Sequence, residues 1–224
     1  MDVASKREPD SDGAAERRKQ IIRAAVEVFA ERGFHRTRVS DIAKRAGVAY
    51  GLICHYFESK NAVLDAVFDK SWSNFLKMLR AIRDEAEPAG ALDKLELVID
   101  RLIDALEIAR GMMQVVIHEV SRSSRFAEAD KQAAFREAFE IVREIIEEGQ
   151  RRGEVREDID PMVSAHAFFG ALEIVCSGVI LERVDTDAGI TERAKRTVRA
   201  MLLDGLEPAG GERRALHAAR EKSA

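Results

Sequence analysis

Hydrophobic residues recur at helical spacing through most of the chain, and no stretch alternates strictly enough to predict a strand. Ile21, Ile22, Ala25, Val28 and Phe29 predict a first helix over 17–32, with Gly33 as its stop. Thr37 is placed to cap a second helix from Val39 to Ala46. Gly47 interrupts it before a short third helix that ends at Phe57. A long helix then runs from about Ser59 to Glu85, with Val63, Val67, Trp72, Phe75, Leu76, Leu79 and Ile82 on its apolar side; Pro88 and Gly90 end it. Further periodic segments cover 92–109, 112–120, 126–151, 160–181 and 190–206. The pattern predicts an all-α protein of about nine helices with no solenoid repeat. Its division is a flexible arm over 1–13, a small three-helix domain over 14–58, a larger helical domain over 59–206 and a loose tail over 207–224.

Composition narrows the class. With 224 residues, 46% of them hydrophobic, the chain can bury a full core. Its 4 prolines and 6% aromatics agree with a helical protein. Cys54 and Cys176 stand apart with no CxxC pair, so neither a disulfide framework nor a zinc site is indicated, which suits a reducing cytoplasm. Residues 1–13 are polar and lack the apolar centre of a signal peptide. The stretch from Met162 to Leu181 is long enough to cross a bilayer but contains His166 and Glu173 and lacks flanking anchors, so a helix buried on several sides is the reading and no membrane partner is expected. The net charge of −4 argues against nucleic acid until its distribution is considered. From Ala14 to Lys60 there are ten Lys/Arg against five Asp/Glu, and the rest of the chain is acidic. One end can meet phosphate while the remainder repels it.

That basic end has the residue pattern of a helix-turn-helix. With Val39 as its first position, Ile42, Ala43, Ala46, Gly47, Val48, Ile53 and Tyr56 fall where packing demands them. Ala43 is small where two helices nearly touch, and Gly47 can adopt the positive φ of a tight turn. An ordinary helical hairpin would satisfy the same spacing. The surrounding Arg17, Arg18, Lys19, Arg36, Arg38, Lys44, Arg45 and Lys60 favour DNA by supplying a sequence-independent attraction to phosphate.

The run GFHRTRVSDIAKRAGVAYGLICHYFESKNAVLDAVF, Gly33 to Phe68, resembles the TetR family, with its Gly-Phe, Thr, Asp-Ile-Ala, Ala-Gly-Val, Gly, His-Tyr-Phe, Ser-Lys and Leu landmarks in order and without gaps. The resemblance implies a three-helix DNA-binding domain followed by a ligand-binding and dimerisation domain. It places Thr37 and Arg38 at a phosphate-facing start of the second helix, and His55, Tyr56 and Lys60 on the DNA backbone beyond the third. Ala49, Tyr50, Gly51 and Leu52 would then face the major groove, with Tyr50 discriminating among bases. Ala49, Leu52 and Cys54 stand where the family often has Ser or Thr, Thr, and Tyr. Direct polar readout is therefore thin, specificity leans on DNA shape, and Cys54 reads as a packing residue.

MMQVVIHEVSRSSRF (Met112 to Phe126) and IIEEGQRRGEVREDIDP (Ile145 to Pro161) resemble the fatty-acid-degradation repressors of that family, which implies a long-chain acyl-CoA effector and no cofactor. The Trp expected near the end of the eighth helix is missing around Cys176 to Leu181. Phe75, Leu79, Leu102, Leu106, Met112, Met113, Val116, Phe139, Phe168, Phe169 and Leu172 would line a long apolar tunnel, or serve simply as core. Arg110, Arg122 and Arg125 would meet coenzyme A phosphates. His118, Glu119, His166 and Glu173, in apolar helices, each call for a partner or a wet cavity. The helix over 160–181, apolar nearly all round, together with the one over 190–206, predicts a four-helix homodimer seam. The expected activity is a repressor on a palindromic operator, with the helix from Ser59 as the mechanical link. A sensor of another hydrophobic compound, an enzyme acting on an acyl thioester and a helical dimer that no longer binds DNA are the alternatives. No Ser or Cys sits in a nucleophile motif and no metal-ligand spacing is present.

Overall fold

The computed structural model describes residues 11–84, 90–117, 129–184 and 187–208. Among the described residues there are nine helices and no strands: α1 (Ser11–Arg32), α2 (Val39–Ala46), α3 (Tyr50–Tyr56), α4 (Lys60–Asp84), α5 (Ala91–Ile108), α6 (Arg110–Val115), α7 (Ala129–Arg151), α8 (Pro161–Ile180) and α9 (Ile190–Leu206). The expected arm loses its last three residues to α1, which begins at Ser11 rather than Arg17. The expected tail begins later than residue 207, because Glu207 is buried and Leu206 O accepts from Arg156 N at 2.9 Å.

Two cores form. The first gathers Ile21, Ala25 and Val28 of α1, Ile42 and Ala46 of α2 and Ile53 of α3. The second gathers Leu95 and Ile99 of α5, Ile141 and Ile146 of α7, Phe168 and Leu172 of α8 and Val198 of α9. A boundary at residue 58 divides the helices but not the packing. Val63, Leu64, Ala66 and Val67 from the start of α4 lie in the first core, while its Leu76, Leu79 and Ile82 lie in the second. Val115 of α6 also belongs to the first core. At Gly111 a Cβ would come within 3.5 Å of Ala30 Cβ, so α6 lies directly on α1.

The helix ends follow from local chemistry. Asp160 caps α8, its Oδ1 accepting from Val163 N at 2.8 Å, and Pro161 occupies the first turn, where a missing N–H costs nothing. α7 carries Gly149 where α5 begins: a Cβ there would lie 2.6 Å from both Ala91 Cβ and Val155 Cγ2, so only glycine allows this approach. α5 and α9 are joined by a polar ladder. Asp100 receives Arg199, Asp104 receives Lys195, and Glu107 accepts from the Thr191 hydroxyl. The repeat of about four residues on both helices puts each pair one turn from the next.

Candidate DNA interface and effector site

The corner between α2 and α3 is built from inside outward. Gly47 closes α2 in the left-handed conformation, φ 65° and ψ 34°, and Val48 N donates to Ala43 O at 3.1 Å. Gln20 of α1 reaches across to donate to Ala46 O at 2.7 Å, and Arg45 bridges to Glu27 and Glu31 at 2.8 and 2.7 Å. The Arg45 bond holds the Glu31 carboxyl below its ordinary pKa. This ion pair orients α2 on α1 and removes Arg45 from the cations available to phosphate.

Two of the predicted DNA contacts point elsewhere. Thr37 is buried, with its hydroxyl donating to Gly33 O at 2.8 Å, where it satisfies a carbonyl at the end of α1. It does not cap α2: Arg38 is the N-cap, and the Asp41 carboxylate returns to accept from Arg38 N at 2.9 Å. That bond, with Arg32 at 3.2 Å, holds Asp41 below its ordinary pKa. Lys60 Nζ donates to Phe34 O at 2.7 Å, His35 O at 3.3 Å and Thr37 O at 2.9 Å, and sits 4.3 Å from the Phe34 ring centroid. An ammonium has three protons, and all three are directed at the turn before α2. Lys60 is thus a staple for that turn, which sequence spacing of 23 or more residues could not reveal.

The outward face retains Arg38, the N-cap of α2, and Lys44 within α2, both exposed; among the described residues Lys44 has no ion-pair partner. On α3, Tyr50 is 57% exposed, and Ala49, Gly51, Cys54 and His55 are exposed with it. A side chain at Gly51 would meet nothing within 4 Å, so this part of the helix is bare. Leu52 and Tyr56 are half-buried, Tyr56 packing on the first core and edge-on to His55 with centroids 5.4 Å apart. Cys54 corrects its expected packing role: it is exposed, one turn from Tyr50 on α3, and its proximity raises the Tyr50 phenol above its ordinary pKa.

The second site is apolar. Leu79, Leu106, Phe168 and Leu172 are buried in the second core, and Phe75, Leu102, Met113 and Phe169 pack against it half-buried. Met112 is misplaced by the sequence reading, since it packs against the first core, and Val116 is half-buried. Phe139 stacks on His166 at 4.3 Å and meets Phe169 edge-on at 5.3 Å. His166 and Glu173 are exposed rather than enclosed, and His166 Nδ1 lies 2.8 Å from Met162 O. Arg110 is exposed, 4.0 Å from Glu182. His118, Glu119, Arg122 and Arg125 lie outside the described residues. Phe75 and Phe169 were expected in this lining, whereas Phe68, Trp72 and Phe135 were not. Phe68, Trp72 and Phe75, spaced by four and three, face Phe135 of α7 and Phe169 of α8, with Trp72 and Phe135 centroids 4.1 Å apart.

Comparison with known proteins agrees with both halves. Residues 21–67 match the family described as bacterial regulatory proteins, tetR family, and residues 90–198 match the tetracyclin repressor-like C-terminal domain. The chain is 34% identical over 154 residues to the fatty acid metabolism regulator protein of Bacillus subtilis, covering 69% of this chain and 78% of that one. The crystal structure of the regulator FadR from Bacillus subtilis in complex with stearoyl-CoA superposes with a TM-score of 0.70 at 29% identity, over 84% of this chain and 99% of that one. The fatty acid degradation regulator FadR from Bacillus halodurans gives 0.72 at 28% identity, over 90% and 98%. These relatives are regulators, which leaves the acyl-thioester enzyme without support. Its helix-turn-helix, its helical second domain and these relatives together make the chain a member of the TetR family of DNA-binding transcriptional regulators.

Proposed function

We propose that this regulator is a cytoplasmic homodimeric repressor that holds a palindromic operator with its two α3 helices in successive major grooves and releases it on binding a long-chain acyl-CoA. The observation that carries the reading is the double membership of α4. Its first two turns are buried in the DNA-binding core, and the turns that follow bear Trp72 and Phe75, which face the rings of α7 and α8. A chain inserted among those rings must displace the helix on which the DNA-binding core is seated. An effector releases DNA only by preferring the geometry that fits the operator less well, and α4 is the element able to carry that preference. α6, lying on α1, is a second route between the sites.

Dimerisation is supported by the outer face of α8 and α9. Val163, Ile174 and Met201 are 67%, 71% and 75% exposed, and a side chain at Gly170 would meet nothing within 4 Å. α8 is the one described helix long and apolar enough to cross a membrane, yet only 33% of its apolar window is buried. A second copy presenting the same face would cover it. Arg38 and Lys44 would bind phosphate, and Tyr50 would reach base edges with Ala49, Gly51 and Leu52 beside it.

Selection of bound fragments from genomic DNA tests the reading. A short palindrome with half-sites about one helical turn, about 34 Å, apart should emerge, and stearoyl-CoA added at micromolar concentration should release it. Recovery of random DNA, or a palindrome indifferent to every acyl-CoA, would refute the corresponding half. The ring-rich lining also suits a flat aromatic effector; release by such a compound and not by acyl-CoA would favour that second reading.

A further inference from the structure

The one tryptophan of the chain has an unusual position. Trp72 stands midway along α4 among Phe68, Phe75 and Phe135, and its Nε1 is buried with no hydrogen-bond partner, the only such side-chain atom among the described residues. An indole N–H is a donor only, and phenylalanine rings offer it no lone-pair acceptor. Leaving it unpaired is costly enough that buried tryptophans ordinarily find an acceptor. Phenylalanine would fill much of the same space at none of that cost, so packing alone does not account for an indole here.

Resting on the acyl-CoA reading above, we propose that Trp72 Nε1 is the polar anchor of the effector site and donates to the acyl carbonyl of the thioester. The class of ligand that fits is a long apolar chain bearing one hydrogen-bond acceptor. Phe75, Phe139 and Phe169, half-buried and facing one another from three helices, would take the chain, and the carbonyl would pair the indole. An anchor at this point also has leverage. Phe68, stacked on Trp72 at 5.8 Å, lies next to Val67 of the DNA-binding core, so a pull on the indole is delivered to α4 one turn from the residues that seat the helix-turn-helix.

The test is a comparison of two ligands on two proteins. Stearoyl-CoA carries the carbonyl; its S-octadecyl thioether analogue has the same chain and coenzyme but no carbonyl. The full-length wild-type protein should bind the thioester about tenfold more tightly than the thioether, the size expected for one buried hydrogen bond. In Trp72→Phe the ratio should fall to near one, whereas a purely structural role would weaken both ligands equally and leave the ratio unchanged. Should the phenylalanine variant fail to fold, benzothienylalanine at position 72 replaces the N–H by sulfur with the ring outline kept, and the same ratio is read. Trp72 emission in the wild type should also shift with the thioester more than with the thioether. An unchanged ratio, with stearoyl-CoA still releasing DNA, would overturn the anchor and leave the effector reading standing. Failure of stearoyl-CoA to bind the wild type would overturn both.

Discussion

Lys44 and Lys60 carry the same charge and face different tasks. Lys44 is exposed and unpaired among the described residues, while Lys60 spends its protons on three carbonyls of the turn before α2. Lys44→Ala should weaken binding to all duplexes, reduce the salt dependence of affinity by about one counterion and leave the melting temperature unchanged. Lys60→Ala should lower the melting temperature as well, because the carbonyls lose a charged donor. Thermal melts alongside affinities across salt distinguish them, and a Lys60→Ala protein of wild-type stability would contradict the staple. The two thiols differ as sharply. Burial pushes Cys176 up to about 12, whereas Cys54 is exposed. One equivalent of a thiol reagent should therefore label Cys54 in the native protein, with the second site reacting only on unfolding. The unfolded thiol loses its proton near pH 8.5, roughly its unperturbed value, and the folded one holds it until about 12. The contribution of Cys176 is thus complete below that lower value and declines as pH rises between the two. Rapid labelling of both thiols in native protein would contradict its burial.

At the scale of helices, periodicity located nine elements because each buries one stripe, and a 3.6-residue repeat of Ile, Val and Leu is visible without a structure. Caps and close approaches were harder to read. Thr37 has the residue type of an N-cap and sits one position too early, so its hydroxyl serves the end of α1 instead. Met112 and Met113 are adjacent in sequence, but they face different cores, and which methionine goes to which depends on how α6 lies on α1. Phe75 and Phe169 were legible as lining, but Trp72 was legible only as part of the apolar stripe of α4, because its partner Phe135 comes from a helix far along the chain. Gly149 gives a direct check on element packing. Gly149→Ala would place a methyl 2.6 Å from both Ala91 and Val155 and should cost about 1–3 kcal/mol, even though alanine is the better helix former. A chemical denaturation curve that shows Gly149→Ala as stable as the wild type would mean that α5 and α7 are not so close.

On the proposed reading the whole molecule is a pair. The exposed apolar face of α8 and α9 is costly for a lone subunit and ordinary for a dimer. Ile174→Glu should shift the protein to monomer in sedimentation and, by uncoupling the two α3 helices, reduce operator affinity far more than the loss of any single phosphate contact. An intact dimer would move the seam elsewhere. Within the pair, the helix-turn-helix and the ring-lined region share α4, so operator and effector are expected to oppose one another through a common element.

Reciprocal linkage tests that sharing most directly. The affinity for the selected operator is measured with and without saturating stearoyl-CoA, and the affinity for stearoyl-CoA with and without saturating operator. Each ligand should weaken the other by the same factor, about 5–150-fold for a typical coupling. Stearoyl-CoA bound equally well by the free and the operator-bound dimer would contradict it.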